Sequence, residues 1–175
     1  MSLKSRIRAI PDFPKQGIVF RDITTLLKDA TGFRIAIQKL VNRYSGRKIQ
    51  KVVAIESRGF IIGSPLAFAL GAGFVPIRKK GKLPSKTIGQ EYESEYGIDA
   101  LEIHEDAIEP GERILLVDDV LATGGTAHAA CVLVNKLGGD IIENAFLIEL
   151  SALEGREYLE SRGVKVFSLE KFTDG

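Results

Sequence analysis

The sequence predicts an α/β fold in which a mostly parallel central sheet is flanked by helices. Three short runs are branched and apolar without alternation, as is typical of strands buried on both faces of a parallel sheet. These runs are Val52–Ile55, Phe74–Ile77 and Ile114–Val117. Between them, apolar residues recur at helical spacing, for example from Phe33 to Tyr44. Strands that alternate with helices in this way favour a sheet covered by helices.

Size and composition indicate one compact domain over residues 1–175, with enough apolar residues for a full core. The chain has 175 residues, of which 45% are hydrophobic, and its formal net charge is +1. We expect no nucleic-acid partner, because no basic run is dense enough for one. We expect no membrane partner either, since no apolar segment approaches the length of a membrane span. A single cysteine excludes an intrachain disulfide, and a cytoplasmic location is the simple interpretation.

The first part of the chain mixes short elements with turns. Ser5–Ile10 is expected to be a short amphipathic helix that ends at Pro11, and a turn rich in Pro and Gly follows it. Ile18–Phe20 is expected to be a short extended stretch, which could be an edge packed on the core or a wall for a flat ligand. An amphipathic helix over about residues 31–44 comes next.

Two loops at predicted strand ends carry charge. Glu56–Gly59 follows the strand Val52–Ile55, and Arg78–Pro84, the strongest basic cluster, follows the next strand. Elsewhere such loops would be solvated, but ligands of open α/β sheets gather outside the carboxyl ends of the strands. We therefore expect the basic cluster to meet a polyphosphate. Between the two loops, Phe60–Leu70 is expected to be a helix interrupted at Gly63–Pro65.

The segment from Thr87 to His104 is expected to form two short antiparallel strands joined near Gly97. It alternates poorly and contains two glycines, a pattern that fits paired strands better than a helix. Such an arm between strands of the sheet could act as a lid.

Ile114–Thr126 carries the most specific chemical signal. Its apolar strand is expected to end at the acidic pair Asp118-Asp119, and small residues from Ala122 to Thr126 precede a helix. Amides and the helix dipole at such a turn favour a phosphate, while carboxylates can accept hydrogen bonds from sugar hydroxyls. The pattern therefore predicts a sugar-phosphate site. The alternative is a tight turn with a solvated acidic pair, but adjacent carboxylates repel each other, so a neutralising or hydroxyl-donating partner is expected.

The last third of the chain continues the alternation. The helix after the loop places Cys131 on its buried stripe, which makes this residue a small hydrophobe rather than a nucleophile. A strand or strand pair over 141–148, a helix over 155–161 and a final strand over 164–169 are expected to follow.

Val117–Thr126 also resembles the signature of the type I phosphoribosyltransferases, which bind 5-phosphoribosyl 1-pyrophosphate (PRPP). The match runs through ten residues and keeps the acidic pair and the Thr-Gly-Gly-Thr sequence intact. The resemblance implies the type I phosphoribosyltransferase fold, with a small N-terminal hood over roughly 1–30 and a flexible β-arm over roughly 79–103. In that family the acidic pair, here Asp118 and Asp119, holds the ribose hydroxyls. The loop that wraps the 5′-phosphate corresponds to Ala122, Thr123, Gly124, Gly125 and Thr126.

Three further segments resemble the adenine-specific members of this family. They are the N-terminal Pro11–Pro14 with Gly17–Ile23, the basic Arg78–Pro84, and Glu95–Gly97. The resemblance implies that backbone groups of Val19 and Arg21, with Phe20 close by, bind the adenine edge. It also implies that Glu95 is the catalytic acid or base toward the purine. The implied pyrophosphate ligands are Arg58, Arg78, Lys79 and Lys82.

The implied reaction, in purine salvage, converts adenine and PRPP to AMP and pyrophosphate. Mg²⁺ is the implied cofactor, held mainly by substrate and water rather than by direct protein ligands. The family usually forms homodimers, and its loop at Glu56–Gly59 often contains a cis peptide bond that does not precede proline. Two alternatives stay open: a phosphoribosyltransferase for xanthine or hypoxanthine, and a non-catalytic regulator that senses PRPP. The regulator is less favoured, because the short segment before Pro11 leaves no room for a DNA-binding domain.

Overall fold

The computed structural model of the chain describes residues 2–94 and 97–173. Its strands are β1 (Arg8–Pro11), β2 (Val19–Asp22), β3 (Lys51–Ile55), β4 (Gly73–Lys79), β5 (Thr87–Ser94), β6 (Gly97–His104), β7 (Arg113–Leu121), β8 (Asp140–Leu150) and β9 (Val166–Phe172). Its α-helices are α1 (Thr24–Leu27), α2 (Ala30–Tyr44), α3 (Arg58–Leu70), α4 (Gly125–Lys136) and α5 (Gly155–Glu160). Short 3-10 turns occupy Lys4–Arg6 and Ser151–Leu153.

The predicted mostly parallel sheet is confirmed. Seven strands lie in the order β5-β6-β4-β3-β7-β8-β9, and neighbours from β4 to β9 in that order pair in parallel. β6 pairs antiparallel with β4, and β5 pairs antiparallel with β6, so the predicted arm extends one edge of the sheet. No helix in the described ranges is long and apolar enough to span a bilayer.

Burial explains why the apolar runs form central strands. Val52, Val53 and Ala54 in β3 are fully buried. Val52 and Ala54 pack in one cluster with α2 and α3, while Val53 packs with α4 in a second cluster. A strand covered on both faces has no polar alternation, as observed.

Helix α3 runs unbroken through Pro65, so the predicted interruption is wrong. Gly63 of this helix packs so closely on β3 that a Cβ there would lie 2.8 Å from the Ala54 Cβ.

The N-terminal segment differs from its prediction. Arg8–Pro11 forms strand β1, antiparallel to β2, where an amphipathic helix over Ser5–Ile10 was expected. So short a helix is marginal by itself, and pairing with β2 satisfies the backbone groups of β1 instead. Leu3 and Ile7 are buried in the same cluster as α2 and α3, which attaches the segment to the sheet.

The carboxylate of Asp22 fixes the end of β2. It accepts hydrogen bonds from the Thr24 amide at 2.9 Å, the Thr24 hydroxyl at 2.6 Å and Arg8 Nη2 at 2.5 Å. These bonds, led by that of the Thr24 hydroxyl, lower the pKa of Asp22 to about 2. The ionised carboxylate therefore links β1 and β2 to the start of α1.

Strand β7 is longer than predicted. It pairs with β3 only as far as Val117, but alongside β8 it continues to Leu121. Asp118 and Asp119 are therefore strand residues that lie past the last paired position of β3 and β7, Ala54 with Val117, and not residues that follow the strand. The long neighbour β8 supplies the backbone partners that keep this part of β7 extended.

Replacing Asp22 with Asn should weaken the pH dependence of stability in acid. The pKa of Asp22 is about 2 in the folded protein, against about 3.9 in an unfolded chain. Its charge therefore stabilises the fold above about pH 4, and this contribution is lost as the pH falls toward about 2. As the pH is lowered from about 4 toward about 2, the free energy of unfolding, measured in urea, should decrease less for Asp22→Asn than for the wild type. Asp106→Asn, at an exposed position, is the control, and an unchanged slope in Asp22→Asn would contradict the assignment.

Candidate active site

A cleft of about 860 Å³ opens at the carboxyl ends of the parallel strands. It is lined by the end of β3 and the start of α3, from Ile55 to Arg58, and by Asp118 and Asp119 of β7. Hood residues between Phe13 and Arg21 line another side, and Tyr92 of the arm contributes as well. Segments far apart in sequence therefore meet at the edge of the sheet where ligands of α/β folds gather.

An ion pair between Arg58 and Asp119 joins the ends of β3 and β7. Arg58 Nε lies 2.5 Å from Asp119 Oδ2. Asp119 is only 5% exposed, and its charge is the main reason that the pKa of Arg58 is raised. Burial and the Asp119 charge raise the pKa of Asp118 well above its ordinary value, although Asp118 Oδ1 accepts a hydrogen bond from the Asp119 amide. The acidic pair thus has the neutralising partner that the sequence predicted.

The loop from Ala122 to Thr126 presents backbone amides at the start of α4. Gly124, with φ of +92°, directly precedes this helix and provides no side-chain cap for it. The loop lines a recess of about 90 Å³, together with Asp118 and the neighbouring residues up to Ala127. Uncapped amides at a helix N-terminus favour an anion, and phosphate fits this geometry.

Glu56 contacts the basic cluster, which begins within β4 rather than after it, because that strand extends to Lys79. Its Oε1 accepts a hydrogen bond from the Lys79 amide at 2.6 Å and lies 3.4 Å from Arg78 Nε, while its Oε2 lies 3.6 Å from Lys82 Nζ. Burial alone would raise the pKa of Glu56, but the Lys79 amide and the two cations outweigh it and lower the pKa. The peptide bond between Glu56 and Ser57 is cis, as the resemblance implied.

The predicted pyrophosphate ligands are only partly brought together. Arg58, Lys79 and Lys82 line the cleft, whereas Arg78 turns toward Glu56. The Lys79 ammonium forms an ion pair with Asp99 and donates to the Tyr92 hydroxyl at 3.0 Å, both on the arm. These contacts, that with Asp99 first, raise the pKa of Lys79. In this arrangement the Lys79 ammonium is paired with groups of the arm and is not free to contact a ligand in the cleft.

The hood gives the cleft a largely apolar side. Val19, Phe20 and Arg21 all line the cleft, a position compatible with the ligand wall that was one of the two interpretations of this stretch. The Phe13 and Phe20 rings pack edge to face with centroids 5.2 Å apart. The Arg21 guanidinium stacks over the Phe172 ring at 4.2 Å, so its charge is directed to the core side of the hood.

Leu150 and Leu153 also line the cleft, and the sequence interpretation missed them. Leu150 ends β8, and Leu153 lies in the short turn after it. The available signal was topological: a residue at the carboxyl end of the strand beside β7 must reach the same edge of the sheet. The predicted catalytic residue Glu95 lies outside the described residues, between Ser94 of β5 and Gly97 of β6.

The cleft has the donor set for a metal ion that arrives with its substrate. Among residues 2–94 and 97–173, no group of three or more His, Cys, Asp or Glu side chains could hold a metal. Asp118 and Asp119 provide carboxylate oxygens in the cleft, the ligand type that Mg²⁺ prefers when it keeps several waters and binds substrate phosphates. The residues present therefore fit a magnesium ion held mainly by substrate and water.

Comparisons with known proteins assign the chain to the family that its sequence motifs resemble. A sequence profile of the family described as "Phosphoribosyl transferase domain" matches residues 24–174. The chain is 59% identical over 174 residues to the adenine phosphoribosyltransferase of Methylobacillus flagellatus, with 99% of each protein covered.

Solved structures agree in fold as well as in sequence. The adenine phosphoribosyltransferase of Thermoanaerobacter pseudethanolicus superposes with a TM-score of 0.92 at 53% identity, covering 97% of this chain and 98% of that one. The enzyme of Saccharomyces cerevisiae superposes with a TM-score of 0.89 at 42% identity, covering 95% and 96%. The chain belongs to the adenine phosphoribosyltransferase family and has the type I phosphoribosyltransferase fold.

Proposed function

We propose that the protein transfers the phosphoribosyl group of PRPP to adenine, giving AMP and pyrophosphate in purine salvage. One observation carries the proposal: the acidic pair and the cationic side chains line one cleft beside an apolar hood, and the amide-rich loop lines an adjoining recess that shares Asp118 with the cleft. That combination matches the sugar, the 5′-phosphate, the pyrophosphate and the base of the two substrates. The similarity to adenine phosphoribosyltransferases over nearly the whole chain supports the choice of base.

The ribose 5-phosphate half of PRPP is assigned to β7 and the loop after it. Asp118 and Asp119 accept hydrogen bonds from the ribose 2′- and 3′-hydroxyls, because carboxyl oxygens can accept hydrogen bonds in either protonation state. The amides of the loop hold the 5′-phosphate at the start of α4; its residues are Ala122, Thr123, Gly124, Gly125 and Thr126. These donors are fixed by the backbone, so they position the sugar with little loss of side-chain freedom.

The pyrophosphate half is assigned to Arg58, Arg78, Lys79 and Lys82. Arg58 leaves Asp119 when PRPP binds, so that its guanidinium meets the pyrophosphate while Asp119 meets the ribose. Lys79 leaves Asp99 for the same reason. Mg²⁺ would be held mainly by substrate oxygens and water, with Asp118 and Asp119 as the nearby carboxylates, and would supply charge neutralisation for the leaving pyrophosphate.

Adenine is assigned to the slot between the hood and the end of β8. Backbone groups of Val19 and Arg21 form hydrogen bonds with its edge, and Phe20 packs nearby. Leu150 and Leu153 also line this part of the cleft. Adenine offers an amino donor and a ring-nitrogen acceptor, whereas hypoxanthine offers the reverse pattern and would leave buried groups unpaired. Discrimination built on such hydrogen bonds reaches roughly 10⁴-fold. A yeast relative of the same family has been solved in complex with adenine and an imino-altritol bisphosphate.

The chemical step forms the bond from adenine N9 to the anomeric carbon as the bond from that carbon to pyrophosphate breaks, with inversion. The transition state has oxocarbenium character, so positioning and charge stabilisation dominate. Glu95 takes the proton released by the purine ring. The arm over 79–103 excludes water, which would otherwise hydrolyse PRPP.

The same proposal treats 1–175 as one domain, with its hood over 1–30, that forms a homodimer. Leu3 and Ile7 of the hood share a core cluster with α2 and α3, which supports the single domain. Ile61 and Phe68 of α3 leave an exposed apolar face, Phe68 at 89% exposure, which supports a second copy as its cover. A monomer in sedimentation equilibrium at micromolar concentration would contradict the dimer.

The purified protein should form AMP and pyrophosphate when it is given adenine, PRPP and Mg²⁺. Release of pyrophosphate should be far slower with hypoxanthine or xanthine, because these bases present the wrong hydrogen-bonding edge. Faster turnover of hypoxanthine than of adenine would contradict the assigned base. Binding of PRPP without turnover of any purine would instead identify a PRPP-sensing protein.

Replacing Glu95 with Leu should lower kcat by about 10²- to 10⁴-fold, because general acid–base catalysis contributes that much. The KM for PRPP should change little, since the ribose and phosphate contacts are kept. Glu93→Leu, two residues away on the exposed side of β5, is the matched control and should retain wild-type kcat. A variant of Glu95 that raises KM with kcat unchanged would make it a binding residue.

A further inference from the structure

The back of the phosphate loop is pressed against the first turn of α5. A Cβ on Gly155 would lie 2.2 Å from the Ala122 carbonyl oxygen, a separation that no side chain can adopt. From the other side, a Cβ on Gly124 would lie 3.1 Å from the Gly155 carbonyl oxygen and 3.0 Å from the Tyr158 ring. The φ of Gly155 is not in the left-handed region, so contact rather than backbone geometry requires glycine there. Any displacement of α5 therefore moves the loop.

Helix α5 is too short to be stable by itself, and an ion pair with a buried carboxylate holds it in place. It has only six residues, and so short a helix is unstable in isolation. Arg156 grips Glu149 at the end of β8 with two bonds, from Nε to Oε1 at 3.1 Å and from Nη2 to Oε2 at 2.7 Å. The Ser168 hydroxyl donates to the same Glu149 oxygen at 2.7 Å, and Arg156 Nη1 donates to the Val166 carbonyl at 3.0 Å.

The ion pair and the loop are also connected through apolar packing. Glu149 is 4% exposed, so its charge depends on Arg156 for compensation. Leu159 of α5 packs in one cluster with Leu121, the residue just before the loop, and with Phe146 of β8. The ion pair of Arg156 with Glu149 thus fixes one face of α5 to the sheet. Gly155, at the start of α5, contacts the loop, so the position of the helix determines the position of the loop.

We propose that Arg156, fixed by Glu149 and Ser168, is a positioning residue for the 5′-phosphate of PRPP. It does not touch the substrate; it acts through Gly155 on the backbone of Ala122 to Gly124. The inference rests on the proposed function, because it takes this loop to be the phosphate site. A misplacement of about 1 Å at such a site lowers catalytic efficiency by up to about 100-fold.

The chain contains a matched pair that separates positioning from stability. Arg43 grips Glu143, near the opposite end of β8, with bonds of 2.7 Å and 3.1 Å, and Glu143 is buried to a similar degree. The Tyr44 hydroxyl donates to Glu143 at 2.7 Å, as the Ser168 hydroxyl does to Glu149. Loss of Arg156 removes the ion-pair partner of Glu149, whereas loss of Arg43 leaves Glu143 with Arg47 Nη1 at 3.7 Å. Both changes weaken the compensation of a buried carboxylate, but only Arg156 is connected to the phosphate loop.

The experiment compares Arg156→Met with Arg43→Met. Both variants should show a lower Tm than the wild type. Arg156→Met should raise the KM for PRPP by about 10- to 100-fold, with the KM for adenine within about twofold. Arg43→Met should leave both KM values within about twofold of the wild type. Equal changes in the two variants, or an unchanged KM for PRPP in folded Arg156→Met, would overturn the proposal.

A second pair of variants covers the case in which Arg156→Met does not fold. Gly155→Ala should push the Ala122 carbonyl away and raise the KM for PRPP, whereas Gly73→Ala meets only ordinary contacts, the nearest at 3.5 Å, and should not. Calorimetric binding of ribose 5-phosphate gives the same comparison without turnover, and equal affinity in Gly155→Ala and the wild type would overturn the inference. A wild type that binds ribose 5-phosphate but forms no AMP would count against the proposed function alone.

Discussion

The cleft depends on one constraint: parallel strands bring their carboxyl ends to the same edge, where opposite charges must balance. Arg58 at the start of α3, just beyond β3, and Asp119 on β7 meet that requirement with a 2.5 Å contact. Asp119 is nearly fully buried, so without a cation its charge would be costly. In the proposed function, Asp119 and Arg58 exchange this contact for the ribose hydroxyls and the pyrophosphate of PRPP.

The surrounding elements position this pair and the groups beside it. Glu56 gathers the basic loop from the β3 side, and the arm holds Lys79 through Asp99. The loop after Leu121 packs directly against the backbone of α5, where a Cβ on Gly155 would lie 2.2 Å from the Ala122 carbonyl oxygen. In the account proposed here, the backbone amides, the ion pairs and the short helix α5 together hold a highly charged substrate in one orientation.

Local patterns predicted most of the fold and the chemical centre of the site. The apolar runs identified strands β3, β4 and β7, although Phe74 of β4 is 37% exposed. The acidic pair with its small-residue loop predicted a sugar-phosphate site, and Asp118 and Asp119 do line the cleft. Contacts between distant segments carried no local signal. Pairing with β2 made Arg8–Pro11 a strand, and Leu150 and Leu153 reach the cleft only through topology. The pairing of Arg156 with Glu149 could not be predicted either, because the local sequence of a short helix indicates only a solvated arginine side chain.

The most direct test of the account is a crystal structure of the protein with PRPP, Mg²⁺ and 9-deazaadenine, the base analogue found with a Giardia lamblia relative. The account predicts that Asp118 and Asp119 accept hydrogen bonds from the ribose hydroxyls and that the 5′-phosphate lies on the amides of Ala122 to Thr126. It also predicts that Arg58 Nε leaves Asp119 and contacts the pyrophosphate. A ribose bound away from the acidic pair, or an Arg58–Asp119 contact still at 2.5 Å in the complex, would contradict it.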